Sequence, residues 1–185
     1  VIGIEPASLV TKSLVREVKT DDAGCFQSAL NPGLTKIAVI ERHKRTGKRG
    51  IGILEGYGLT GGAIATTISH DSHNIVVAGD NDPDMLLAVR ELADMGGGIV
   101  SVHGGAIRRL PLPIAGLMTS ADPQEVNAVL HDMLVAARAE LGIPEDVEPF
   151  MTLSFMALPV IPELKLTARG LFNVNTFSFI GVEAD

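Results

Sequence analysis

Hydrophobic positions fall in short β-branched runs along most of the chain and take up helical spacing only twice. Val1-Ile2-Gly3-Ile4 and Leu14-Val15-Arg16-Glu17-Val18 read as short strands, separated by Pro6 and closed by an Asp/Gly turn at 21–24. After the turn signal Asn31-Pro32-Gly33, residues 37–42 and 49–54 have strand character, and the loop between them predicts a long hairpin. Residues 63–69 and 74–78 are again β-branched, separated only by residues 70–73. So short a link predicts antiparallel neighbours, with the turn at a rim of the sheet.

The two helical stretches begin alike. Asp82-Pro83 sets a capping residue before a proline, Leu86, Val89 and Ala93 share one face, and Gly96-Gly97-Gly98 stops the helix. Asp122-Pro123-Gln124-Glu125 repeats the start, with Glu125 placed for a capping box. Val126, Val129, Leu130, Met133, Leu134, Ala137 and Leu141 form its apolar stripe, ended by Gly142. Strands are expected at 98–102 and 106–110, and another at 175–180 after an apolar tail broken by Pro159 and Pro162. Consecutive strands with helices inserted predict an α+β fold, a largely antiparallel sheet with two main helices packed on one face. The shared Asp-Pro starts suggest two related β-β-α halves.

Composition narrows the class. Apolar residues are 46% and charged residues 20% of 185, enough to bury a core in one domain and too apolar for disorder. With no Trp and one Tyr, that core is aliphatic. A net charge of −7 argues against nucleic acid as the main partner. No apolar run reaches the roughly 18–20 residues of a membrane helix, and the one cysteine, Cys25, excludes an internal disulfide and points to the cytoplasm. The chain opens at Val1 without an initiator Met, which fits a processed product or a fragment of a longer polypeptide.

Four groupings carry candidate chemistry. The basic run at 42–49 reads as a solvated loop or, more sharply, as a phosphate-binding strip. Gly56-Tyr57-Gly58-Leu59-Thr60-Gly61 matches a dinucleotide fingerprint but leads into a strand instead of the helix that would hold a pyrophosphate. Asp80-Asn81-Asp82-Pro83-Asp84 resembles a calcium loop, yet Met85 stands where that loop needs glycine. The fourth, His70-Asp71-Ser72-His73-Asn74, crowds two imidazoles, a carboxylate, a hydroxyl and an amide into five positions. Such groups can bind a metal, shuttle a proton or hydrogen-bond a heterocycle. Asp, Ser and Asn are also ordinary turn formers. Two or three ligands from one turn do not complete a metal site, and His43, His103 and His131 add no metal-binding spacing.

Around this turn the chain resembles a known family. Residues 58–67, Ser69 to Asn74 with Ile75-Val76-Val77, Leu110-Pro111-Leu112-Pro113 through Met118, Phe150-Met151-Thr152-Leu153-Ser154-Phe155, and residues 158–167 are similar, in order, to the C-terminal domain of bacterial adenine deaminases. The resemblance implies a domain over 36–185, preceded by a lead-in segment over 1–35. It also implies the reaction adenine + water → hypoxanthine + ammonia, within purine salvage, by a hydroxide on manganese or iron. In that family the metal is held by an N-terminal amidohydrolase barrel. This chain has no His-x-His pair and no room for a (β/α)₈ barrel, which takes roughly 200 residues or more.

The expectation is therefore an accessory domain, catalytically silent alone, whose partner is the barrel of the same polypeptide. No cofactor or metal is expected in this chain, and no residue is assigned to catalysis. His70, Asp71, Ser72, His73 and Asn74 are its candidate supporting residues, facing the active-site mouth or a domain interface. A homo-oligomer is expected, because a domain parted from its partner exposes apolar surface. The competing readings are a non-catalytic small-molecule-binding or oligomerisation module, and an independent metallohydrolase using His70, Asp71 and His73.

Overall fold

The hairpin expected around the basic loop lies at the middle of the structure. In the computed structural model, which describes residues 1–183, β3 (Leu34–Ile40) and β4 (Arg49–Glu55) pair antiparallel from Leu34↔Glu55 to Ile40↔Arg49. The second expected pair also forms, as β5 (Gly62–Thr66) and β6 (Ile75–Gly79). β6 lies beside β3, and β5 lies beside β7 (Gly98–His103), which turns back into β8 (Ala106–Pro111). On the other edge, β1 (Ile2–Ile4) runs parallel to β4 and β2 (Thr11–Ser13) completes the sheet. The order is β2-β1-β4-β3-β6-β5-β7-β8, antiparallel at every pairing except β1/β4. The strand expected at 14–18 does not form. Val15 there is 73% exposed, whereas Thr11 is buried and its hydroxyl donates to Leu164 O at 2.7 Å.

Both expected helices are present, with corrections. α1 (Asp82–Asp94) is capped by Asn81, not Asp82: Asn81 Oδ1 accepts from Asp84 N at 2.9 Å. Its buried stripe is Met85, Ala88 and Leu92, one position off the predicted face, and Leu86 is 55% exposed. Small residues decide this. Ala88 lets the helix approach closely, and Met85 occupies the space over Gly79, where a Cβ would come within 2.5 Å of Met85 Cγ. α2 (Pro123–Ala139) is capped by Asp122, which accepts from Gln124 N at 2.8 Å. Its expected stripe holds at Met133, Ala137 and Leu141, while Val129 stays outside. A third helix, α3 (Pro149–Phe155), and a separate antiparallel sheet of β9 (Leu164–Thr167), β10 (Gly170–Asn173) and β11 (Ser178–Phe179) occupy the apolar tail. Only β11 remains of the strand expected at 175–180.

The fold is α+β, but the helices do not share one face. α1 covers Ala63, Ala65, Val77, Val100 and Val102 on one side of the large sheet. On the other, α2, α3 and the small sheet cover Ile37, Val39, Leu54, Ile64 and Val76. The physical reason is visible in β5 and β6, buried at all five positions each, which need cover on both faces. The runs β5-β6-α1 and β7-β8-α2 follow in sequence, as the repeated Asp-Pro starts imply. Gly50 on β4 makes room for the small sheet: a Cβ there would meet Thr167 O at 2.0 Å. Among the described residues no helix is long and apolar enough to cross a membrane.

Candidate functional site at one end of the large sheet

Antiparallel pairing brings three loops to the same end of the sheet. The β3–β4 loop leaves after Ile40, which faces Ile75; the 67–74 connection precedes Ile75; and the segment after Pro111 leaves opposite Gly98. The β3–β4 loop is held by Glu41, whose carboxylate accepts from the backbone N–H of His43, Lys44 and Thr46 and from the Thr46 hydroxyl. These bonds hold the Glu41 carboxyl down at about 2. Thr67 ties in the third loop: its Oγ1 donates to Gly116 O at 2.6 Å and accepts from Gly98 N at 2.8 Å.

Arg42 is the clip between the loops. Its Nε donates to His73 O at 2.6 Å and its Nη2 to Ala115 O at 2.7 Å, and its backbone N–H reaches Asn74 Oδ1 at 3.4 Å. Burial draws its pKa below the ordinary value. Beside it, His43 Nε2 lies 2.8 Å from Ser72 O. Sequence reasoning missed Glu41, Arg42 and His43 as parts of the site, since a charge-rich loop gives no sign of which charges turn inward.

The 70–74 turn is built from within. His73 takes up a left-handed backbone (φ 48°), its N–H donates to Ser69 O at 2.6 Å, and its Nδ1 accepts from Ser69 N at 3.4 Å. A ring nitrogen that accepts must be unprotonated, which leaves the proton on Nε2. Burial, then His70 and Arg42, lower the His73 pKa and favour this neutral form. His70 donates its backbone N–H to Ser154 O at 3.0 Å and lays its ring on Phe155, with centroids 4.5 Å apart. The two imidazoles meet edge to face at 5.8 Å.

The turn divides two clefts. His70 lines one of ≈ 440 Å³, walled by Ile68, Phe150, Met151 and Phe155. Asp71, Ser72 and Asn74 line the other, of ≈ 620 Å³, with His43 and Lys44. The five expected residues are thus adjacent but do not converge on one point. Among the described residues no three His, Cys, Asp or Glu side chains form a group that could hold a metal ion. This donor set does not fit manganese or iron. It offers instead a braced turn that presents one neutral imidazole, a hydroxyl and a carboxylate.

The architecture is that of a two-sheet α+β domain carrying a polar loop cluster at one sheet end. Its sequence places it more closely. The profile of the adenine deaminase C-terminal domain matches residues 8–178, and the chain belongs to that family. An adenine deaminase of Nitratidesulfovibrio vulgaris (strain Hildenborough) is 60% identical over 183 residues, covering 98% of this chain and 32% of that protein. One of Clostridium acetobutylicum is 46% identical over 181 residues, covering 97% and 32%. One of Halalkalibacterium halodurans is 48% identical over 182 residues, covering 97% and 30%. The chain therefore spans about a third of the length of the curated relatives it matches.

Proposed function

We propose that this chain is the accessory domain of a metal-dependent adenine deaminase, which hydrolyses adenine to hypoxanthine and ammonia in purine salvage in the cytoplasm. The observation that carries the reading is the near-complete match of the chain to one third of proteins named adenine deaminase. Manganese or iron would be held by the remaining polypeptide, an amidohydrolase barrel; among the described residues of this chain no three His, Cys, Asp or Glu side chains gather to hold one. The domain supports the barrel without supplying a catalytic group and is inactive alone. The braced 70–74 turn is the part that faces the barrel, at its mouth or along the domain interface. A turn held by Arg42, Ser154 and its own backbone suits that role, since a contact surface gains by being preorganised.

The test replaces His70 and His73 by Ala in the full-length polypeptide and measures both adenine turnover and bound metal. The reading expects turnover to fall at least about tenfold, a transition-state loss of about 1.4 kcal/mol or more, while metal content stays at the parent level. Unchanged turnover would remove the turn from the account. Loss of metal along with turnover would make the histidines ligands instead.

A further inference from the structure

The cleft beside Asp71, Ser72 and Asn74 has a charge balance opposite to that of the protein. The chain carries −7, yet Lys44 and Lys48 from the β3–β4 loop and Arg169 from the β9–β10 turn all line this cleft. Among the described residues six ion pairs form, and none uses these three cations. Two carboxylates share the lining. Glu41 is taken up by four donors of its own loop, and Asp71 stands exposed on the opposite turn. Unpaired cations around a concave site raise the local concentration of anions, and they do so here against an acidic background.

The interior of the cleft supports the same reading. Asn74 is 8% exposed, and the only hydrogen bond its side chain makes among the described residues is the 3.4 Å contact from Arg42 N to Oδ1. Its amide N–H₂ makes no hydrogen bond among the described residues and is left as a donor open to the cleft. The far wall is apolar, formed by Pro159, Val160 and Phe179, and the Arg169 guanidinium lies 4.5 Å from the centre of the Phe179 ring. At ≈ 620 Å³ the cleft falls in the size range of small-molecule sites.

We propose that this cleft binds a small phosphate ester of nucleoside-monophosphate size. The phosphate sits among Lys44, Lys48 and Arg169, and the organic part lies on the Phe179 wall within reach of Asn74. Three cations from two elements suit a dianion better than a single carboxylate. The basic run at 42–49 is thereby divided: Arg42 and His43 brace the turn, while Lys44 and Lys48 are left for the ligand. The proposal does not rest on the deaminase reading and holds for the chain whatever its polypeptide catalyses.

Calorimetric titration of the 185-residue chain with adenosine 5′-monophosphate, adenosine and inorganic phosphate tests it. The monophosphate is expected to bind at least about tenfold more tightly than adenosine, to be displaced by phosphate, and to weaken in high salt. Lys44→Gln, Lys48→Gln and Arg169→Gln together should weaken it by a further tenfold or so. All three side chains are exposed and belong to no ion pair among the described residues, Arg169 alone giving up its contact with the Phe179 ring, and circular dichroism verifies that the variant keeps its fold. Absence of monophosphate binding up to about 10 mM, equal binding of adenosine, or undiminished binding by the triple variant would each overturn the proposal.

Discussion

Lys165 is completely buried in β9, between Leu164 and Leu166 of the main core, and its Nζ has Leu9 O at 2.9 Å as its partner. None of the six ion pairs among the described residues includes it. Burial without a carboxylate lowers its pKa from 10.5 to about 8. In the unfolded chain the amine has its ordinary value, so between about pH 8 and 10.5 the unfolded state binds more protons than the folded one. Stability must then rise with pH through that window. Below it the cost of a buried ammonium is carried in full; above it the cost is gone. At about 1.4 kcal/mol per pH unit, the displacement corresponds to about 3 kcal/mol. Lys165→Met keeps the length of the side chain and removes the charge. It forfeits the Leu9 bond, worth about 1 kcal/mol, and should still gain about 1–2 kcal/mol at pH 7. Urea unfolding followed by circular dichroism from pH 7 to 10 measures the difference between parent and variant. That difference should be largest at pH 7 and shrink steadily as the parent deprotonates. Buried Tyr57, whose pKa is raised by burial, acts in the opposite sense at high pH but cancels between the two proteins. A difference that stays flat across the range, or a parent that loses ground as pH rises, would refute the reasoning.

Three further outcomes can be checked on the same chain. Arg42→Met removes two charge-assisted bonds across the loops and should cost about 2–4 kcal/mol, with faster hydrogen exchange at residues 69–74; Arg42→Lys should recover part of both, and unchanged exchange would contradict the clip. Gly50→Ala places a Cβ 2.0 Å from Thr167 O, whereas at Gly52 the nearest atom is Leu171 Cδ2 at 3.5 Å. Thermal unfolding should therefore show Gly50→Ala costing more than about 3 kcal/mol and Gly52→Ala much less, and equal losses would count against the packing of the small sheet on β4. Tyr57→Phe deletes the hydroxyl that donates to Pro149 O at 2.9 Å from a fully buried site, so denaturant unfolding should register a loss of about 1–2 kcal/mol.

The elements legible in the sequence are those whose pattern and punctuation agree. Residues 34–55 alternate and break at a polar loop, and both long helices carry Asp-Pro starts and glycine stops. Where two patterns compete, sequence alone does not choose: α1 offers the stripes Leu86-Val89-Ala93 and Met85-Ala88-Leu92, and close approach over Gly79 selects the second. α3 was hidden because most of its seven residues are buried, which erases the one-sided spacing that marks a helix. The continuous burial of β5 and β6 was readable as a need for cover on both faces, but helix placement does not follow from it. At the site, the 70–74 turn stood out through its side chains. Its bracing did not, because Arg42 and Glu41 act on backbone groups of loops distant in sequence.

The central claim, that this chain is an accessory and not a catalytic part of an adenine deaminase, is tested most directly by ammonia release from adenine. The assay compares the chain alone with the full-length polypeptide containing it, each supplied with manganese or iron(II). The account predicts deamination by the full-length protein and none above background by the chain. Turnover by the chain alone, or its absence from the metal-loaded full-length protein, would contradict it.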